Sequence, residues 1–96
     1  MNLELSVLIP CIEDIKGYRK LSLKITRYQR IQCLMPIIAK NINLKFFKDF
    51  RLFIEKEFYH RVLDDDELAT KVLNEIEIGK CQMMFRKMIY IDHATE

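Results

Sequence analysis

Basic residues are concentrated in one part of this 96-residue chain, together with a tyrosine. Between Ile15 and Arg51, ten basic residues stand against the single acid Asp49, whereas residues 52–80 contain eight acids and four bases. A cationic face with a tyrosine could hold phosphates and stack a nucleic-acid base, or it could bind an acidic protein surface. The predicted partner-binding residues are Arg19, Lys20, Lys24, Arg27, Tyr28, Arg30, Lys45 and Arg51.

The basic segment also has two explanations that involve no partner. Lysines on the edge strand of a sheet prevent pairing with other strands. The basic residues could also pair with the acidic run at 64–67 of the same molecule. Only a structure separates these explanations from a binding surface.

A metal site is a further candidate, because Glu57, His60 and Asp64 would share one face of a helix. A Glu-x-x-His pair is half of what a carboxylate-bridged di-metal bundle needs. The pair occurs once here, without a second copy or another inward glutamate. We therefore predict no metal and no cofactor.

Nucleophilic catalysis needs a thiolate beside a base, and nothing in the sequence pairs a cysteine with His60. Cys11, Cys33 and Cys81 are odd in number and far apart, which indicates free buried thiols in a reducing compartment. No glycine-rich phosphate loop is present. We predict no catalytic residues and no enzyme activity; a metal-independent nuclease that uses Tyr28 and His60 is a distant alternative.

The elements that would position these residues are predicted from hydrophobic periodicity. Asn43 is a suitable N-cap for a long helix over 44–63, in which apolar residues recur at spacings of three and four. Asp64 and Glu67 then have the spacing of a capping box for a second helix. The apolar residues of the first helix are Phe46, Phe47, Phe50, Phe53, Ile54, Phe58, Val62 and Leu63.

The second helix is predicted over 65–78, with Gly79 closing it in the left-handed conformation. On the N-terminal side, alternating apolar and polar residues predict a β-hairpin with strands near 3–9 and 19–27. Helical spacing follows over 28–42. The C-terminal stripe from Cys81 to Ile89 favours another helix, although residues 89–91 could instead form a short strand.

The predicted fold is therefore a single small domain over residues 1–96, of the α+β class. An N-terminal β-hairpin packs on three to four helices, and an all-α helical bundle is the alternative. No apolar run approaches the roughly 20 residues of a membrane helix. Glu4 stands where a signal peptide would be basic, so we expect a cytoplasmic protein that does not enter a membrane.

The predicted function is a non-enzymatic protein-interaction module of the inhibitor, immunity or adaptor type. It would bind an acidic protein surface through the basic segment; a nucleic-acid-binding module using the same segment is the alternative. Half of the residues are apolar, and Met83, Met84 and Met88 could form an adaptable hydrophobic surface. Self-association as a homodimer is therefore a further expectation.

Overall fold

A computed structural model describes residues 3–10 and 17–88 of the chain. Its strands form one five-stranded mixed sheet with the order β2-β1-β5-β3-β4. Within the described residues the elements are, in chain order, β1 Leu3–Pro10, β2 Tyr18–Ile25, α1 Ile31–Asn41, β3 Phe50–Lys56, β4 Tyr59–Val62, α2 Ala69–Gly79 and β5 Gln82–Lys87.

The element order consists of two similar units followed by a closing strand. The first unit is the hairpin β1–β2 with α1, and the second unit is the hairpin β3–β4 with α2. β5 enters between the first strands of the two hairpins, parallel to β1 and antiparallel to β3. The two units are thus joined into one sheet through β5.

One face of the sheet packs against both helices and forms the main core. Residues on this face alternate along the strands, as in Leu5 and Val7 of β1 and Leu52 and Ile54 of β3. The buried side of α1 and the start of α2 complete the core. Both helices contain eleven residues, and no helix in the described part of the chain is long and apolar enough to cross a membrane.

The opposite, helix-free face has a second, smaller apolar row. Phe53 is fully buried there and Met84 is 2% exposed. The Arg86 guanidinium lies 5.4 Å from the centroid of the Phe53 ring, and the His60 ring meets it edge-on at 5.6 Å. The row crosses all five strands. Its members, each paired with the next in neighbouring strands, are Lys20, Leu8, Met84, Phe53 and Val62.

The predicted fold class, a β-hairpin packed on three to four helices, is wrong, and so is the all-α alternative. The described residues form a five-stranded mixed sheet with two short helices. The predicted helix over 44–63 is instead the β3–β4 hairpin. Because β3 is buried on both faces, Leu52, Phe53 and Ile54 are consecutive core residues and the strand shows no alternation. The Glu57-Phe58 turn also lacks the glycine or asparagine that usually marks a hairpin.

Two further predictions fail near these elements. The helix predicted from Cys81 to Ile89 is replaced by β5, which is likewise buried on both faces through Met83, Met84 and Phe85. The alternative strand at 89–91 lies outside the described residues. Asn43 is not an N-cap; it follows α1 with a left-handed φ of 58°.

The N-terminal elements agree with the sequence. β1 and β2 form the predicted antiparallel hairpin, with Leu5 opposite Leu23 and Ser6 opposite Ser22. The helix predicted over 28–42 is α1, which is shorter and contains Pro36.

The acidic turn also leads into a helix, although α2 starts later than predicted. The predicted capping box is wrong, because Leu68, not Asp64, is the N-cap of α2 and no side chain caps it. The Asp64 N–H donates to Glu67 Oε2 at 2.6 Å within the loop before the helix. At the other end Lys80, not Gly79, adopts the left-handed conformation, with φ 53° and ψ 45°. Gly79 instead avoids a close contact, because a Cβ there would lie 2.9 Å from Cys81 Sγ and the thiol would have to move.

Candidate functional site

The candidate site is built on β2, which is an edge strand of the sheet. Because side chains alternate along a strand, every second residue of β2 lies on the helix-free face. Across the β1–β2 pairs, Glu4 is the one acid on β1, and it stands opposite Lys24. Glu4 also accepts a hydrogen bond from the Ser22 hydroxyl at 3.5 Å. The helix-free face of β2 presents Tyr18, Lys20, Ser22 and Lys24.

The turn from β2 into α1 continues this basic surface. Arg27 is exposed, and Tyr28 is 79% exposed beside it. The Thr26 N–H donates to the side-chain oxygen of Gln29 at 2.8 Å, which fixes the turn. We define the basic edge as Tyr18, Arg19, Lys20, Lys24, Arg27 and Tyr28.

The start of α1 is held by the loop that precedes α2. We refer to residues 64–67 of this loop as the acidic loop. The first-turn N–H groups of a helix have no partners inside the helix. Here the Ile31 N–H donates to the Glu67 carbonyl at 2.9 Å, and the Gln32 N–H donates to the Asp65 carbonyl at 3.0 Å. The basic turn is therefore attached to the acidic loop through the main chain.

Three of the predicted site residues lie apart from the basic edge or have contacts of their own. The Arg30 guanidinium donates to the Asp66 carbonyl at 2.7 Å. Arg51 is half-buried on β3 and donates to the Leu63 carbonyl at 2.9 Å. Lys45 is exposed in the loop between α1 and β3, outside the β1–β2 hairpin.

Sequence reasoning missed Tyr18, which is 55% exposed and belongs to the same surface. The signal was present, because Tyr18 precedes Lys20 by two positions and so shares its side of the strand. The strand was expected to begin at position 19, one residue too late to include it.

A cleft of about 530 Å³ adjoins the basic edge. It lies among the first strand, the C-terminal half of α2 and the start of β5, with Lys20 in its lining. Apolar side chains of Leu8, Leu73 and Ile76 line it together with Glu77. Glu4 also lies in the lining, so the cleft carries two carboxylates beside Lys20.

In the acidic half of the chain, two carboxylates form hydrogen bonds and ion pairs with one arginine. The Arg61 guanidinium donates to both oxygens of Glu67, at 3.0 and 2.9 Å, and to both oxygens of Glu75, at 3.3 and 2.7 Å. The hydrogen bonds from Arg61 hold the pKa of Glu67 below its usual value, and the Asp64 N–H acts in the same direction. In turn, hydrogen bonds to the two carboxylates raise the pKa of Arg61. We refer to Arg61, Glu67 and Glu75 as the arginine clasp.

The predicted nuclease alternative required Tyr28 and His60, which the structure does not bring together. His60 lies on the opposite edge strand, β4, across from Glu55. Glu55 pairs with Arg86. A cleft of about 490 Å³ at this end of the sheet is lined by Glu55, Lys56, Glu57, Phe58, Tyr59, His60 and Gln82.

The helical argument for a metal site at Glu57, His60 and Asp64 no longer applies, because the three residues lie on a hairpin and the loop after it. No group of three metal-ligating side chains occurs within residues 3–10 and 17–88.

The cysteines differ from the expectation of buried thiols. Cys33 is exposed on α1 and Cys81 is half-buried; both are free thiols. Cys11 lies outside the described residues. Met83 and Met84 are buried, and Met88 is half-buried, so these methionines fill the sheet and do not form an open hydrophobic surface.

Comparison with the known protein families and with curated proteins found no match to this chain.

Proposed function

We propose that this protein is a non-enzymatic interaction module of the inhibitor, immunity or adaptor type, which binds an acidic protein surface through the basic edge. One observation supports this proposal above the others. Four exposed basic residues and two exposed tyrosines follow one edge strand and its turn, where the neighbouring strand offers a single carboxylate, Glu4. Such a surface steers an acidic partner toward it and fixes its orientation.

The surroundings of the basic edge favour a protein over nucleic acid. The acidic loop contacts Arg30 through the Asp66 carbonyl. Asp64, Asp65 and Asp66 are all exposed in this loop. These carboxylates would repel a phosphate backbone that extends along α1. A protein partner can match a basic strip and an adjacent acidic loop with charges of both signs.

Nucleic acid is the second candidate, and one observation favours it. Tyr28 is exposed next to Arg27, so its ring could stack on a base while the guanidinium contacts a phosphate. We also propose the cytoplasm as the protein's location, because the free thiols of Cys33 and Cys81 fit a reducing compartment.

Fluorescence anisotropy tests the proposed function. Labelled poly-glutamate and random single- and double-stranded oligonucleotides are titrated with the protein at about 50 and about 200 mM salt, a range over which phosphate-driven binding drops sharply. We expect poly-glutamate to bind at low salt. The double variant Lys20→Glu/Arg27→Glu should weaken this binding at least tenfold.

Lys71→Glu is the matched control, because Lys71 is exposed on α2, away from β2. It should leave binding within about twofold of the wild type, as expected for a substitution outside the contact surface. Binding of oligonucleotides but not of poly-glutamate would replace the proposed function with the nucleic-acid alternative. A loss in Lys71→Glu as large as that in the single variant Lys20→Glu, which changes the net charge by the same amount, would show that net charge, and not the basic edge, causes the binding.

A further inference from the structure

β2 has the geometry of a strand that can accept another strand. It is eight residues long and extended throughout. No strand in the described part of the chain pairs with its outer edge. It contains no proline, so every residue retains its N–H donor. Edge strands of this kind bind extended peptides by adding them to the sheet through main-chain hydrogen bonds.

The other edge of the sheet is less suited to this role. β4 contains only four residues, which is half the length of β2. Its Arg61 is held by Glu67 and Glu75 in the arginine clasp. A short edge strand next to a fixed loop offers few main-chain groups to a partner.

The side chains of β2 specify what an added strand would contain. Lys20 and Lys24 lie on the helix-free face, four positions apart, with Ser22 between them. Leu21 and Leu23 lie on the other face, where they pack with the core. A matching strand carries acidic residues four positions apart with a small polar residue between them, and apolar residues at the alternate positions.

We propose that β2 accepts an extended acidic segment of a partner protein as a sixth strand of the sheet. This inference rests on the proposed function, and it adds the mode of binding and the sequence pattern of the ligand. Main-chain hydrogen bonds along β2 supply affinity, and the two lysines select carboxylates on one face. Arg27 and Tyr28 lie just beyond the end of the strand and extend the contact.

Like charges oppose a second copy of the chain at the same edge in two of the three longest antiparallel registers of β2. In an antiparallel β2–β2 pair centred on Ser22, each Lys20 would stand opposite a Lys24. Shifting the pair by one residue places Arg19 opposite Lys24 instead. Like charges directly opposite each other destabilise a strand pair. A register centred on Leu21 sets Lys20 opposite Ser22 and avoids this repulsion. An acidic strand, in contrast, is attracted by the lysines in every register.

Designed peptides test this inference. The probe is a labelled peptide with the sequence Thr-Glu-Val-Thr-Val-Glu-Val-Thr, in which both glutamates and the threonine between them share one face. A composition control places the two glutamates next to each other. Two further peptides carry N-methyl groups on the main chain. In the first peptide all odd-numbered positions are methylated, and in the second all even-numbered positions. An added strand uses the N–H groups of only one of its edges, so only one of the two peptides loses the N–H groups that it needs.

We expect the alternating peptide to bind at least tenfold more tightly than the composition control. One of the two N-methylated peptides should lose binding at least tenfold, and the other should retain it. Hydrogen exchange of the β2 amides should slow at least tenfold in the complex, because an added strand protects the outer edge.

Two other outcomes separate failure of the inference from failure of the proposed function. If the control and both methylated peptides bind equally, and Lys20→Glu/Arg27→Glu still abolishes binding, strand addition is wrong but the acidic-partner function stands. If neither the peptides nor poly-glutamate bind at about 50 mM salt, where electrostatic binding is strongest, both proposals are wrong.

Discussion

The two ββα units have the same order of elements, but they use their charges in opposite ways. In the second unit, the arginine clasp ties β4 to the acidic loop and to α2. In the described part of the first unit no ion pair occurs, and the basic residues of β2 face solvent. One unit therefore uses its charges in internal ion pairs, and the other leaves its charges exposed, as the proposed function requires.

The largest expected effect contrasts the first strands of the two hairpins. Phe53 of β3 is fully buried on the helix-free face, whereas Leu8 of β1 is half-buried on the same row. Removing a buried phenylalanine side chain costs about 3–5 kcal/mol, so Phe53→Ala should nearly exhaust the stability of a small domain. Leu8→Ala should cost about 1–2 kcal/mol because less of its surface is buried. Urea unfolding measures both, and equal losses would contradict the contrast between the hairpins.

The next prediction concerns the arginine clasp. Arg61→Met keeps the length of the side chain but leaves Glu67 and Glu75 facing each other without a cation. We expect a loss of about 2–3 kcal/mol in the free energy of unfolding, since charge-assisted hydrogen bonds are lost and two carboxylates are left close together. The matched control is Arg27→Met in the first unit, which should change stability by less than about 0.5 kcal/mol. A similar cost at both positions would show that the charges of the two units are not used differently.

The pH dependence of stability should also come from the second unit. The folded-state pKa of Glu67 is lowered, mainly by its hydrogen bonds from Arg61. A carboxyl group with a lowered pKa stabilises the fold above its unfolded-state pKa, and this contribution is lost as the pH falls through the folded-state value. Glu67→Gln should therefore cost about 1.5 kcal/mol at pH 7, and the difference from the wild type should shrink as the pH falls through the lowered pKa of Glu67. Denaturant unfolding across pH measures it; a difference that stays constant would exclude ionisation of Glu67 as its cause.

The smallest predicted effect is a gain in stability at the end of α2. Lys80 is a non-glycine residue in the left-handed conformation, which costs roughly 1 kcal/mol relative to glycine. Lys80→Gly should therefore raise the free energy of unfolding by about 0.5–1 kcal/mol, as measured by thermal or urea denaturation. Lys40→Gly, inside the last turn of α1, should instead destabilise the protein by about 1 kcal/mol. A loss at both positions would show that Lys80 has a stabilising contact that outweighs its backbone strain.

The fold was predictable where a strand has two different faces. In β1, Leu5 and Val7 are buried while Glu4 and Ser6 are exposed, so the alternation is visible in the sequence. In β3 and β5 both faces are buried, and period-two alternation disappears. Apolar residues such as Phe50, Phe53 and Ile54 then recur at helical spacing by coincidence.

The candidate site was predictable to a similar extent. Alternation along β2 placed Lys20 and Lys24 on one face, as the structure does. Arg30 was expected to point away from the core together with Lys20 and Lys24, and Arg51 was expected on the water-facing side of a helix. Their partners are the main-chain carbonyls of Asp66 and Leu63, and a sequence gives no sign of which carbonyl a folded chain brings near an arginine.

The central position of β5 has a consequence for synthesis on the ribosome. Val7 pairs with Met83, although the two residues lie near opposite ends of the chain. Each hairpin can form from neighbouring residues as it emerges, but β5, the strand that joins them, is translated after both. A premature stop before position 82 would release two hairpins whose inner edges are both unpaired. Such a fragment would present two unpaired strand edges at which other chains could add and aggregate, so the domain depends on translation of β5.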